Sequence, residues 1–186
     1  MDSINAEKLL KEQMVRSLGL DKYADIIKKV MTVNVSSDIG FQRAFNAFYR
    51  IRRNEEWRKK YYCLFEKAKG EHYAFEDIIR TLYEETGNVE ASFSSKMISS
   101  IDPNKPIWDQ YVLQNLGFEL NGKTAEERLE NAIIVYKKIE HWYLDYLLIE
   151  EAKKNIIAFD KWLPSYTWLS DVKKIDYLLW SKRENA

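Results

Sequence analysis

The stretch "TAEERLENAIIVYKKIEHWYLDYLLIEEAKK", residues 124–154, is the long periodic segment that decides the fold class. It opens with Thr124 and, three residues later, Glu127, a capping-box pattern that predicts a helix start. Apolar residues then recur at helical spacing, namely Leu129, Ala132, Ile133, Tyr136, Ile139, Tyr143 and Leu147. Because the apolar face is wide, we expect a central helix with two buried sides that runs through Lys154.

The remainder of the chain has the same helical character. Helical spacing of apolar residues recurs in segments 3–18, 21–33, 36–53, 55–70, 74–86, 90–101, 107–117 and 170–183. With 6 Gly and 3 Pro, the chain lacks the turn residues that an all-β fold needs. We therefore predict a single, compact all-α domain over residues 1–186, built from eight or nine helices.

Capping residues predict where several helices begin and end. Glycines at 19, 70 and 87 are expected to stop the helices that precede them. Asp21 is a predicted helix start, and Ser36 or Ser37 is a predicted start for the helix after it.

Composition excludes several function classes. The 29 basic and 29 acidic residues give no net charge, so nucleic-acid binding would need a local basic patch. Two histidines, one cysteine and no glycine-rich phosphate loop predict neither a metal nor a cofactor. The single cysteine, Cys63, excludes an internal disulfide, and its place in "YYCLF" predicts a core position. No apolar run reaches about 20 residues, so we expect a cytoplasmic protein without a membrane span.

Residues 49–62, "YRIRRNEEWRKKYY", form the one local basic patch. Its cations alternate with tyrosine and tryptophan; they are Arg50, Arg52, Arg53, Arg58, Lys59 and Lys60. Cations and planar rings are what a phosphate backbone and unstacked bases engage. Taken alone, the stretch favours the simpler interpretation, a solvated helix face with aromatic core behind it. The tryptophans of the C-terminal half also have two interpretations: they could pack in the core or line a pocket for a ligand or a base.

Two of the three prolines lie in "TGNVEASFSSKMISSIDPNKPIWDQYV", residues 86–112. The order is a glycine turn, a helix with a mid-helix lysine, a proline loop, and an aspartate at the start of the next helix. This order resembles the helix-hairpin-helix DNA glycosylase superfamily. Gly87 lies near the hairpin turn, Lys96 takes the place of the family's lysine, and Pro106 to Asp109 resemble its P-V-D motif. The hairpin lacks the family's second glycine, and the interval from Lys96 to Asp109 is shorter.

The resemblance implies a DNA-glycosylase-like fold and a DNA-binding, base-excision function in DNA repair. Lys96 would attack the sugar and form a Schiff base, as in those base-excision hydrolases that also have lyase activity. Asp109, at a helix N-terminus, would stabilise the sugar cation or deprotonate the nucleophile. Gly87 would hold a phosphate, and Trp108 and Trp142 are candidates for a base pocket.

Three interpretations stay open from the sequence. The chain could be an active base-excision enzyme, or a descendant that binds nucleic acid without catalysis. From a different class, it could be a non-enzymatic all-α module whose basic-aromatic helix docks a protein partner; the zero net charge favours this alternative. If Lys96 is solvent-exposed and Asp109 only caps its helix, the enzyme interpretation fails.

Overall fold

A computed structural model describes residues 3–14 and 19–182, and it is all-helical, with no strand in those ranges. The first five helices are α1 (Ala6–Met14), α2 (Leu20–Val30), α3 (Ile39–Tyr49), α4 (Glu55–Gly70) and α5 (Phe75–Thr86). The others are α6 (Ala91–Ile101), α7 (Gln110–Leu116), α8 (Ala125–Leu148), α9 (Glu150–Trp162) and α10 (Asp171–Ser181), with a short 3₁₀ turn at Pro164–Tyr166. The count within these ranges is thus ten, above the eight or nine predicted. None of these helices has the length and apolar composition that crossing a bilayer requires.

One predicted side-chain cap and two predicted glycine stops are found where the sequence placed them. The Thr124 hydroxyl accepts a hydrogen bond from the Glu127 N–H and begins α8, as the capping box predicts. Gly70 is the last residue of α4, and Gly87, in the left-handed conformation, ends α5. The predicted stops at these two glycines are therefore confirmed.

Two other predicted starts are wrong by one to two residues. Asp38, rather than Ser36 or Ser37, caps α3 by accepting a hydrogen bond from the Phe41 N–H. The Ser36 hydroxyl instead donates to Asn34 at 2.6 Å. Helix α2 begins at Leu20, before the predicted Asp21, with Gly19 in the cap position. The predicted course of the first helix over 15–18 lies outside the described residues.

The central helix is shorter than predicted. Helix α8 ends at Leu148, Ile149 is extended, and α9 begins at Glu150, so the expected continuous helix through Lys154 is wrong. The break lets α9 fold back on α8 and pack against α1. The Glu151 carboxylate accepts a hydrogen bond from the Ile4 N–H at 2.9 Å, and Asn155 bonds the backbone of Ile4 and Ala6. A distant N-terminal segment thus stabilises the break.

The core follows the predicted helix faces. The α8 residues that the spacing places inside are buried, except that Leu147 is half-buried. Aromatic rings from α3 and α4 fill a second part of the core; they include Phe45, Tyr61, Tyr62 and Phe65. The predicted core position of Cys63 is wrong, because Cys63 lies on the exposed face of α4. Its neighbours at 61, 62, 64, 65 and 68 occupy the buried face of that helix.

Candidate functional site

The hairpin between α5 and α6 turns on Gly87, whose φ of 70° suits a residue without a side chain. Its N–H donates to the Tyr83 carbonyl at 2.8 Å. The next N–H, of Asn88, donates to the Thr86 hydroxyl at 3.3 Å, and the Asn88 amide donates to the Thr86 carbonyl. Both turn amides are thus engaged within the hairpin, and a phosphate at Gly87 would compete with these bonds.

Lys96 lies in the middle of α6 and is half-buried. Its ammonium nitrogen stands 5.1 Å from the ring centre of Phe93 and 5.5 Å from that of Tyr49. Burial lowers the pKa of Lys96, and the negative charge of Asp109 partly opposes that fall. The Tyr49 ring beneath it stays a neutral phenol because burial raises its pKa. Lys96 therefore does not extend into open solvent, and Asp109 acts on it electrostatically.

Asp109 caps α7, which begins at Gln110 and not at the expected Ile107. One carboxylate oxygen accepts a hydrogen bond from the Tyr111 N–H at 2.9 Å. The residue before it, Trp108, is joined to α6 by two bonds. Its N–H donates to Ser95 at 2.9 Å, and its carbonyl accepts from Ser92 at 3.1 Å. The serines fix the backbone that carries Asp109 to the helix that carries Lys96.

The proline loop before Asp109 is held from outside by α8 and α10. The Tyr136 hydroxyl donates to the Pro106 carbonyl at 2.9 Å, and the Ser170 hydroxyl donates to the Pro103 carbonyl at 2.5 Å. The Lys105 side chain pairs with Glu140 at 2.8 Å. The prolines thus lie in a loop whose carbonyls are bound, which fixes the path of the chain from α6 to α7.

A buried ion pair on α10 completes this support. The Lys173 ammonium contacts Asp176 at 2.8 Å and the Lys105 carbonyl at 2.5 Å. Asp176 also accepts hydrogen bonds from the Tyr143 hydroxyl at 2.5 Å and from the Ile107 N–H at 3.3 Å. Burial lowers the pKa of Lys173, and Asp176 opposes that fall. The sequence analysis did not identify this pair; a lysine and an aspartate at i, i+3 on a helix also occur on solvated faces.

Arg53 connects the basic patch to Lys96. Its guanidinium pairs with the buried Glu90 at 2.8 Å and lies 5.7 Å from the ring centres of both Trp57 and Phe93. The Arg53 and Lys96 side chains therefore both lie near the Phe93 ring, so the basic patch adjoins Lys96. Rings attract cations in this way through their negative faces. Neither Glu90 nor Phe93 was singled out by the sequence patterns.

The other predicted nucleic-acid-binding residues differ in how far they are already engaged. Lys60 pairs with Glu56 at 3.3 Å and donates to the Glu85 carbonyl at 2.9 Å. Within residues 3–14 and 19–182, the remaining four form no ion pair with a carboxylate; they are Arg50, Arg52, Arg58 and Lys59. All four are exposed except Arg58, which is half-buried. Most of the patch is therefore open to an anionic partner.

The two tryptophans predicted for a base pocket lie in different environments. Trp108 is buried in the core, with 6% of its surface exposed, so it presents no open face to an extruded base. Trp142 is half-buried on α8, stacks on Tyr146 with ring centres 4.7 Å apart, and lines a shallow groove with Phe118. Lys96 and Asp109 do not line that groove. The base-pocket roles of both tryptophans stay predictions.

Two further findings bear on the site. Across the part of the chain that the structure describes, no three His, Cys, Asp or Glu side chains gather in a way that could hold a metal ion. No family model, no curated protein and no solved structure matches the chain.

Proposed function

We propose that this protein binds nucleic acid and acts on damaged DNA as a lyase-type, DNA-glycosylase-like enzyme, with Lys96 as nucleophile. The observation that carries the proposal is the position of the Lys96 ammonium above Phe93 and Tyr49, where burial lowers its pKa. A lysine loses its proton more readily when it is desolvated, and only the neutral amine attacks carbon. The partial burial of Lys96 would therefore favour the neutral amine that the proposed reaction needs.

The proposed reaction uses the open aldehyde form of an abasic sugar. The neutral Lys96 amine adds to C1′ of the aldehyde, and the carbinolamine that forms takes up a proton and expels water. The product is a protonated imine, a positive charge that the nearby Asp109 carboxylate would stabilise. On a nucleotide that still carries its damaged base, the same carboxylate would stabilise the sugar cation as the glycosidic bond breaks.

Binding would rest on the basic patch next to Lys96. Arg50, Arg52 and Lys59 are exposed, and Arg53 lies against the same Phe93 ring as Lys96. A strand bound by these cations would therefore run beside the lysine. Because the Gly87 and Asn88 amides are engaged within the hairpin, the patch is the better supported phosphate contact.

Borohydride trapping on an oligonucleotide with one abasic site tests the chemistry. The reagent reduces the imine to a stable amine, so the active protein becomes covalently attached. We expect attachment in the natural chain, none in Lys96→Ala, and a reduced yield in Asp109→Asn. No attachment, or attachment that survives Lys96→Ala, would refute the role of Lys96.

Lys67 provides a matched control. Its ammonium also lies over an aromatic ring, 5.7 Å from the centre of Tyr73, but it is exposed and the Tyr73 hydrogen bond raises its pKa. Lys67→Ala should therefore trap as well as the natural chain does. An equal loss in Lys67→Ala and Lys96→Ala would mean that surface lysines, and not a prepared site, capture the aldehyde.

The binding part of the proposal has a separate test. Affinity for single-stranded and abasic DNA should fall as salt rises, and Arg52→Ala should reduce the slope of log K against log salt by about one.

The second candidate function is a non-enzymatic module that docks an acidic protein surface, favoured by the engaged hairpin amides. Salt-independent or absent DNA binding, together with no trapping, would favour that module.

A further inference from the structure

Helix α8, the central helix, is buried on two sides but exposes an apolar stripe on the third. We name it the α8 stripe; it consists of Ile134, Lys137, Lys138, His141, Leu144, Asp145 and Leu148, all exposed. The exposed fractions of Ile134, Leu144 and Leu148 are 50%, 65% and 77%. The fourteen residue steps from Ile134 to Leu148 correspond to about 21 Å of helix. Exposed apolar side chains gathered along one face are typical of an interaction surface.

The stripe borders the shallow groove that contains Trp142. Phe118, from the segment between α7 and α8, and Ile134 are apolar lining residues, and Lys138 and Asp145 also line the groove. Protein interfaces commonly combine apolar and charged residues in this way. The groove and the stripe together therefore form one continuous docking face.

The order of charges along the stripe indicates what docks there. Lys137 and Lys138 come within one turn before His141, and Asp145 comes about one turn after it. When two identical helices pack antiparallel about a two-fold axis, residues before the axis in one copy face residues after it in the other. With the axis at His141, Lys137 of each copy faces Asp145 of the other, four residues on either side of the axis, and Ile134 faces Leu148, seven residues on either side.

We propose that the α8 stripe is a homodimer interface in which two copies of α8 pack antiparallel about a two-fold axis near His141. A second copy fits better than an unrelated partner because the stripe is complementary to itself in both charge and apolar pattern. Two copies form the Ile134–Leu148 contact twice and the lysine–aspartate contact twice. This proposal does not depend on the proposed catalytic function.

The size of the face sets the expected strength. Stable interfaces bury about 800 Å² on each partner. The proposed contact is a single helix face about 21 Å long with an adjoining groove, which is a small surface. The dimer should therefore dissociate on dilution within the micromolar range. Sedimentation velocity over a dilution series of the full chain should show a monomer that converts to a dimer as concentration rises.

Leu148→Glu is the most direct variant, since the side chain is exposed and the fold does not need it. The variant places a charge against Ile134 of the other copy, twice in each dimer, and should therefore remove the dimer at every concentration tested. The matched control is Ile39→Glu, because Ile39 is 55% exposed on α3 and lies outside the stripe. The control should dimerise like the natural chain. A natural chain that is monomeric throughout, or a dimer that survives Leu148→Glu, would overturn the proposal.

A charge exchange tests the antiparallel arrangement. Lys137 is the residue to exchange because it faces Asp145 across the axis; it also pairs with Glu76 of its own copy at 3.1 Å. Lys137→Glu alone and Asp145→Lys alone should each weaken the dimer by placing like charges opposite one another. A mixture of the two variants should recover it as a heterodimer, since residues 137 and 145 of the two copies then again face each other with opposite charge. Failure of the mixture to associate more tightly than either variant would overturn the arrangement.

Discussion

Two lysines of this protein have a pKa lowered by burial, and their surroundings differ. The ammonium of Lys173 contacts Asp176 at 2.8 Å and the Lys105 carbonyl at 2.5 Å. The ammonium of Lys96 has no hydrogen-bond acceptor within the described ranges; two aromatic rings and a more distant Asp109 surround it. Burial is common to both, so the pKa direction alone does not distinguish a structural lysine from a reactive one.

The difference lies in what each charge holds in place. Removing water from an ion costs free energy, which a carboxylate partner and further hydrogen bonds can offset. Lys173 and Asp176 offset each other and also fix the proline loop, so we regard them as structural. Lys96 has only partial compensation from ring faces, and it supports no other group through its ammonium. Of these two lysines, Lys96 is therefore the one whose protonated form is less well compensated for its burial.

The largest expected effect comes from breaking the structural pair. Asp176→Ala leaves the Lys173 charge without its partner and removes the acceptor of the Tyr143 hydroxyl. We expect a loss of about 3–5 kcal/mol in the free energy of unfolding, measured by urea denaturation. The double variant Lys173→Met with Asp176→Leu should recover the part of the loss that comes from the unpaired charge, although the Tyr143 hydroxyl still lacks its acceptor. A double variant as unstable as the single one would contradict this reasoning.

A smaller effect is expected where the two cations share Phe93. Arg53→Ala leaves the buried Glu90 carboxylate without its ion-pair partner. Because Arg53 is partly exposed and water can approach, we expect about 1–2 kcal/mol of lost stability in the same denaturation assay. Arg53→Lys keeps the charge and should retain most of it. An Arg53→Ala variant of unchanged stability would show that the Glu90 carboxylate does not depend on this pair.

Asp109 has two functions that two substitutions separate. Asp109→Ala removes the cap of α7 and should cost about 1 kcal/mol, whereas Asp109→Asn keeps an acceptor for the Tyr111 N–H and should cost little. Both remove the negative charge that supports the protonated form of Lys96, so the pKa of Lys96 should fall further in each. The pH dependence of the Lys96 side-chain nitrogen signal in NMR measures this. An unchanged pKa in Asp109→Asn would mean that the carboxylate is too distant to influence the lysine.

Features that local sequence determines were predicted well. The buried face of α8 follows from helical spacing, and its start follows from Thr124 and Glu127, residues three apart. Asp109 was placed near a helix start from the preceding Pro106. The prediction for Cys63 failed within the same local reasoning, because an apolar run does not reveal which side of a helix faces water.

Features that depend on distant contacts could not be predicted. The break at Ile149 is stabilised by the bond from the Ile4 N–H to Glu151, across 147 residues. The setting of Lys96 depends on Tyr49 from another helix, and the proline loop is held by Ser170 and Lys173 near the other end of the chain. A single sequence carries no local signal for such pairings, so the nearness of Lys96 and Arg53 at Phe93 emerges only from the folded structure.

The smallest expected effect concerns Lys96 itself. Lys96→Met removes a charge that nothing fully compensates and leaves an apolar chain over Phe93 and Tyr49. Stability at neutral pH should therefore change by no more than about 1 kcal/mol, far less than for Asp176→Ala.

The pH dependence of stability is more informative than this value. Because the folded pKa is lowered, the unfolded chain binds more protons as pH rises from the folded pKa of Lys96 towards about 10.4. The natural chain should gain stability over that interval relative to Lys96→Met, since the tyrosines and Lys173 are common to both and cancel. A constant difference between the two chains from neutral to alkaline pH would mean that Lys96 titrates as a solvated lysine, and the distinction from Lys173 would then fail.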